Sequence, residues 1–259
     1  MDKISAIAEK LSNDWWAPRA AYEKLTGDLA PSGIDEAYAA QTAVQAKFSE
    51  RRGPFAGRKI ALSSKTMQEM VGIDQPVAGA FFTNDVHSSP ATIKLSDFRH
   101  MGVEFELAME LNRDVPPGEG MFTAQTSAAV IASVKPAFEL IEDKDADYSD
   151  LDVLTMMADN AWCAAVVLGD EIAGWRDLDL GNIASEVRQS GVEPEAANTG
   201  AADPLNSLAW VLNHFAGRGV ILRKGEHIIT GSAVRTRFPV SGDKISYTVA
   251  GARVEIEVA

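Results

Sequence analysis

Glu104 and Glu106 lie in the stretch Gly102-Val103-Glu104-Phe105-Glu106-Leu107-Ala108-Met109-Glu110-Leu111. Read as an extended strand, it sends successive side chains to opposite faces, so both glutamates share one side and Val103, Phe105 and Leu107 the other. The two carboxylate-bearing positions are then about 6 to 7 Å apart along the backbone. A third carboxylate, Glu139, sits in Pro136-Ala137-Phe138-Glu139-Leu140-Ile141, a short apolar segment that reads as another strand. Three clustered anions repel one another unless a cation sits among them, and an all-oxygen set suits a hard divalent ion such as magnesium or manganese. The expectation is a metal site of Glu104, Glu106 and Glu139. Two blander readings share the same spacing: a solvated strand face, or a helix in which Glu106 and Glu110 lie on one side.

Other residue types offer less. Lys59 enters the strand-like segment Lys59-Ile60-Ala61-Leu62-Ser63 as a lone cation, and on sequence grounds alone it reads as a surface lysine at a strand edge. The single cysteine, Cys163, lies in Trp162-Cys163-Ala164-Ala165-Val166-Val167 and reads as a small buried hydrophobe, with no internal disulfide open to it. His87, His100, His214 and His227 are scattered, and none pairs with another at zinc-ligand spacing. There is no phosphate-cradling G-x-x-x-x-G-K-[ST] loop, no G-x-G-x-x-G after a strand and no G-x-S-x-G elbow.

Among the elements that must carry these groups, residues 1 to about 50 read as helical. Ile4, Ile7, Ala8 and Leu11 recur at helical spacing, and Pro18 is expected to interrupt this segment. A second helix is expected after Pro31-Ser32-Gly33, with Asp35 and Glu36 in its first turn and Arg51-Arg52-Gly53-Pro54 as its stop. From Gly57 onward the texture turns to short segments punctuated by Gly, Pro, Asn and Asp. Thr66 to Val71 reads as a short helical turn, Ala124 to Val134 as a helix leading into the Glu139 segment, and Asp159-Asn160 as a turn before the apolar run Ala161 to Leu168. Residues 186 to 203 read as loop. Pro204 to Gly217 carries Leu205, Leu208, Ala209, Leu212 and Phe215 on one helical stripe, and Gly225 to Gly231 reads as a strand. Ile245, Tyr247 and Val249, then Val254, Ile256 and Val258, alternate as a closing hairpin. The division expected is a helical subdomain over 1–55 and a catalytic domain over 56–259.

Composition bounds the partners. With 259 residues and 46% hydrophobic content the chain can bury a substantial core. Its 24 Lys and Arg against 37 Asp and Glu leave a formal charge of -13, which argues against nucleic acid or an anionic membrane as partner. The longest apolar run, Ala161 to Leu168, is eight residues, far short of the roughly 18 that a span requires. Met1-Asp2-Lys3-Ile4-Ser5 is followed closely by Glu9 and Lys10, without the apolar core of a secretory signal, so a cytoplasmic protein is expected.

Several segments, taken in order, resemble the fumarylacetoacetate hydrolase superfamily and within it the 2-keto-4-pentenoate hydratase branch. They are Ala37-Tyr38-Ala39-Ala40-Gln41, Gly57-Arg58-Lys59-Ile60-Ala61-Leu62-Ser63-Ser64-Lys65, Gly72-Ile73-Asp74-Gln75-Pro76, Glu104-Phe105-Glu106 with Asn112-Arg113-Asp114, Pro136-Ala137-Phe138-Glu139, Ala158-Asp159-Asn160-Ala161, Pro204-Leu205-Asn206 and Ile229-Thr230-Gly231. The resemblance runs from about Glu36 to the C-terminus, and its specificity lies in the ordered set. It implies an α+β fold, a mixed β-sandwich roll with a helical N-terminal part, and a magnesium or manganese ion on Glu104, Glu106 and Glu139. It implies that the ion chelates a small 2-oxo acid, that Lys59 stabilises the oxyanion or transfers protons, and that Asn160 and the backbone at Thr230-Gly231 position the carboxylate end. Self-association into a homo-oligomer is expected on the same basis.

Three positions depart from the family pattern. Ala61 stands where a glycine is expected after Lys-Ile, Val77-Ala78-Gly79 where an acidic-aromatic pair often precedes a glycine, and Trp162 where a serine is usual. These positions are expected to line the pocket, with Trp162 reshaping it. The leading expectation is a hydratase of 2-hydroxy-2,4-dienoates, as used in degrading aromatic rings. Its alternatives are a 4-oxalocrotonate-type decarboxylase, which needs the same dienolate stabilisation, and a non-catalytic metal-dependent binder or partner subunit. A C–C hydrolase or acylpyruvase fits less well, because no histidine precedes His87.

Overall fold

The computed structural model describes residues 1–17 and 19–259. Pro18, expected to interrupt the first helix, lies outside the described residues. That helix, α1 (Lys3–Trp16), begins where the Asp2 carboxylate accepts from the Ser5 N–H, and it buries Ile7, Ala8 and Leu11. It packs on α2 (Ile34–Arg52), whose acidic first turn and basic last turn suit the helix dipole and whose Ala40, Val44 and Phe48 complete a shared core.

The remainder is strand-rich. In chain order it comprises β1 (Phe55–Ala61), α3 (Lys65–Val71), β2 (Val77–Phe82), β3 (Val86–Ser88), β4 (Ala91–Ile93), β5 (Met101–Leu111), α4 (Ala124–Ser127), β6 (Ile131–Glu142), α5 (Val153–Ala158) and β7 (Cys163–Leu168). Then follow β8 (Ala184–Gln189), β9 (Val192–Asn198), α6 (Pro204–Gly217), β10 (His227–Ile229), β11 (Lys244–Val249) and β12 (Ala252–Val258). Seven strands form one sheet in the order β2-β1-β10-β5-β6-β7-β3, and five form a second in the order β4-β12-β11-β8-β9. The larger sheet curls, so that Phe81, Ala108, Ala137, Cys163, Val166 and Ile229 from five of its strands meet on one face. On the other face Phe105 packs edge-on against Phe138 and against Tyr247 of the second sheet. Each such buried aromatic contributes about 1.5–3 kcal/mol of apolar transfer energy. This is the α+β sandwich roll expected, with the helical part at its N-terminal end.

Two expectations fail. Ala124 to Val134 is not one helix: α4 lasts a single turn, and from Ile131 the chain is already β6, paired with β5 at Leu111↔Ile131. Ladder pairing along almost the whole of β5 outweighs the helical propensity of the alanine-rich run. Residues 186 to 203 are likewise not loop but contain most of the β8–β9 hairpin. Because β9 is an exposed edge strand, it carries no apolar alternation to betray it. Among the described residues no helix is long and apolar enough to cross a membrane.

Candidate metal centre and cavity

The antiparallel ladder of β5 and β6 sets Glu104 directly opposite Glu139 and Glu106 opposite Ala137. Like charges directly across a ladder destabilise a sheet. Here a third carboxylate sits diagonally beside the pair, and one oxygen of each lies within 4.8 Å of the others. The even-numbered face of β5 and the Glu139 face of β6 both point into the curl of the sheet. That direction separates this arrangement from a solvated strand face: Glu106 and Glu139 are buried, and Glu104 is half-buried on a cavity wall.

Neighbouring backbone and hydroxyl groups fix two of the three. The Gly231 N–H donates to Glu106 Oε2 at 2.7 Å, and the Thr236 hydroxyl donates to Glu104 Oε1 at 2.8 Å. Glu106 Oε1 is left with no hydrogen-bond partner, and neither Glu139 oxygen receives one in a favourable direction. Burial, then repulsion from Glu139 and Glu104, raises the Glu106 pKa well above the usual carboxylate range. Burial, only partly offset by Lys59, pushes Glu139 up to about 7. Buried, mutually repelling and under-satisfied oxygens are what a hard divalent cation satisfies, so the donor set fits magnesium or manganese.

Lys59 is not a surface lysine. It is 1% exposed, with its ammonium 3.0 Å from Glu139 Oε1 and 3.1 Å from the Ala161 carbonyl. Burial alone would lower its pKa, but Glu139 and Glu104 outweigh burial and hold it above the ordinary lysine range. Its stem lies in a slot that requires glycine at 79, where a Cβ would stand 3.1 Å from Lys59 Cγ and Cδ and 2.8 Å from the Asn160 carbonyl.

Asn160, expected at the substrate, points elsewhere. Its Oδ1 accepts from the Ala80 N–H and from Gln45 Nε2, each at 2.9 Å, and its Nδ2 donates to the Ala80 carbonyl at 2.8 Å. Both amide atoms are engaged away from the cavity, which the residue does not line. It clamps a left-handed run, Asn160, Ala161 and Trp162 at φ 57°, 48° and 61°, which turns the Ala161 carbonyl onto Lys59. Asparagine tolerates this region; alanine and tryptophan do so at a cost. Thr230 is also withdrawn, its hydroxyl donating to the Leu107 carbonyl at 3.1 Å. Gly231 does line the cavity, but its N–H is given to Glu106.

The cavity has a volume of about 960 Å³. Trp162 and Ala61 line it, Trp162 braced edge-on by Tyr22 and Tyr148. Ala78 does not; its N–H donates to the Tyr38 hydroxyl, and its carbonyl accepts from Gln41. None of the four histidines lines this cavity. Cys163 is buried with its thiol pKa pushed well up by burial, as expected of a small hydrophobe rather than a nucleophile. Thr236, Tyr148 and Arg235 are cavity residues that sequence reasoning missed. Arg235 and Thr236 stand in an irregular segment and Tyr148 in a single 3-10 turn, with no periodicity to mark them.

No family model matches the chain. A 2-keto-4-pentenoate hydratase of Burkholderia vietnamiensis is 34% identical over 179 residues, 68% of this chain and 67% of that protein. A 4-oxalocrotonate decarboxylase of Pseudomonas putida is 27% identical over 256 residues, 96% of this chain and 94% of that protein. Among solved structures, 4-oxalocrotonate decarboxylase from Pseudomonas putida G7, complexed with magnesium and adipate, superposes with a TM-score of 0.88 at 22% identity, covering 99% of this chain and 97% of that one.

Proposed function

Because the chain belongs to the 2-keto-4-pentenoate hydratase family of the fumarylacetoacetate hydrolase superfamily, we propose that its cavity hydrates 2-hydroxy-2,4-dienoates to 4-hydroxy-2-oxo acids. The observation that carries this reading is the cross-strand pair Glu104 and Glu139, joined by Glu106 and Lys59, with Glu104 and Lys59 on the wall of an otherwise largely apolar cavity and Glu106 and Glu139 buried beside them. A divalent cation on the three carboxylates would supply the positive charge that a 2-oxo acid chelates through its carboxylate and carbonyl oxygens.

The chain's own residues do the rest. Ketonisation moves the proton of the 2-hydroxyl to the far carbon of the diene, and water then adds as hydroxyl at C4 and hydrogen at C3. Both steps pass through a species with negative charge on the C2 oxygen. Lys59, kept protonated by Glu139 and Glu104, offers an N–H and a fixed charge to that oxygen without reorganisation. Gly231 and Thr236 hold Glu106 and Glu104 in place, while Ile60, Leu62 and Trp162 supply apolar wall for the diene to pack against. Small 2-oxo acids are the ligands this arrangement suits, in a protein we take to be cytoplasmic and self-associating.

The test is incubation of the purified protein with magnesium or manganese and 2-hydroxypenta-2,4-dienoate, following loss of the conjugated absorbance. Turnover that disappears on chelation is expected. The likeness to a decarboxylase along nearly the whole chain favours a second reading, loss of carbon dioxide from 4-oxalocrotonate. Carbon dioxide release with no hydration would replace the first reading by the second, and binding without turnover of either substrate would leave a metal-dependent binder.

A further inference from the structure

The segment after β10 runs beside β5 but does not match it residue for residue. The Ala233 N–H donates to the Phe105 carbonyl at 2.8 Å, and Val103 and Arg237 exchange hydrogen bonds at 2.8 and 3.0 Å. Two steps along β5 therefore correspond to four along the segment, and Val234-Arg235-Thr236 bulges from the ladder. Thr236 turns its hydroxyl onto Glu104. Arg235, the neighbouring residue in the bulge, is exposed and lines the same cavity.

The cavity's charges are few. Its cations are Lys59 at the inner end and Arg235 at an exposed position; its carboxylates are Glu104 and Glu195. Lys59 is neutralised by Glu139, and Glu195 is held by Arg237. Arg235 has no hydrogen bond, ion pair or aromatic partner among the described residues. The lining that accompanies these charges is largely apolar, with Ile60, Leu62, Leu151, Met156, Trp162 and Phe238. In a chain of formal charge -13 an uncommitted guanidinium is a local exception, and its planar fork matches a carboxylate in two hydrogen bonds.

We propose that Arg235 receives a second carboxylate at the far end of the substrate, so that the preferred class is 2-hydroxy-2,4-dienoates with an anionic terminus. This rests on the hydratase reading, since it places the 2-oxo acid end at Lys59 and the three glutamates. A substrate ending in methyl gains nothing from Arg235; one ending in carboxylate is anchored at both ends, which fixes the diene between them.

The test compares 2-hydroxyhepta-2,4-dienedioate with 2-hydroxyhepta-2,4-dienoate, a pair differing only in a terminal carboxylate against a methyl. For the unaltered chain with magnesium, kcat/KM is expected to favour the dioate. In Arg235→Met that preference falls by about tenfold or more, the worth of one charge-assisted contact, and Arg235→Lys retains part of it. A preference for the monoacid, or a ratio unchanged in Arg235→Met, overturns the proposal while leaving hydration standing. Calorimetric titration with 2-oxoheptanedioate and 2-oxoheptanoate separates the two ideas. Without turnover of either dienoate, dioate-selective binding that Arg235→Met abolishes sinks the hydratase reading and sustains the assignment of Arg235. Equal binding of the two oxo acids overturns that assignment.

Discussion

At the scale of single residues, the centre is a balance of three negative charges against one positive one. Glu106→Gln keeps the shape and, through its amide oxygen, the bond from Gly231, but it removes a ligand charge. Losing a partner that merely orients a metal ligand costs up to about a hundredfold in affinity, so losing the ligand itself is expected to cost at least that. The metal-free variant should melt no lower than the parent, because burial and the neighbouring carboxylates already favour the uncharged form of Glu106, which the neutral amide reproduces. Metal titration and thermal unfolding check both points, and unchanged affinity removes Glu106 from the site. Lys59→Met separates binding from chemistry. Turnover is expected to fall by about 10²–10⁴, the range for a positioned proton donor or oxyanion partner, while metal affinity holds or rises as the competing cation is lost. Turnover equal to the parent's would reduce Lys59 to a packing role.

At the scale of elements, what the sequence makes legible depends on whether a residue's direction follows from strand alternation. Glu104 and Glu106 could be placed on one face because β5 is regular, and Glu139 because β6 is. The sequence puts Lys59 on the right strand but not at the right depth, since nothing local says that the sheet curls over it. The motif around Asn160 suggests a ligand contact because it carries no sign of the backbone beneath it. Three successive left-handed residues turn its amide onto Ala80, and no periodicity encodes such a run. The exposed β9 has no apolar face to mark it in the sequence, and α4 stops short of its helical pattern because β6 claims the second half. The turn and β2 meet at Gly79, which yields an element-scale prediction. Gly79→Ala places a methyl 2.8 Å from the Asn160 carbonyl, against backbone that cannot simply swing aside. A stability loss of about 1–3 kcal/mol is expected, with a fall in kcat as Lys59 is displaced. Denaturant unfolding and steady-state kinetics check it, and a variant as stable and active as the parent would show the slot to be looser than drawn.

At the scale of the whole molecule, the site's charge links metal, pH and stability. A carboxyl group whose pKa is raised by folding stabilises the fold below its unfolded pKa, near about 4.3, and that contribution is lost as pH climbs to the folded value. For Glu139 the folded value is about 7, and Glu106 is shifted in the same direction. The metal-free protein is therefore expected to lose stability between about pH 4 and 7, the span of those two values. Magnesium must displace protons at the acid end of that window, so the rise in Tm it produces should grow with pH. Calorimetry with magnesium or with a chelator at pH 5 and pH 8 measures this, and an equal increment at both would contradict it. Glu104, Glu106 and Glu139 belong to a single antiparallel pair, whereas Lys59 and Gly231 come together only when β1 pairs with β10 from the far side of the chain. Nearby segments find one another sooner than distant ones. A chain diluted out of denaturant is therefore expected to regain magnesium affinity only once that late pairing brings Gly231 and Thr236 onto Glu106 and Glu104, so that grip and turnover return together as the roll closes.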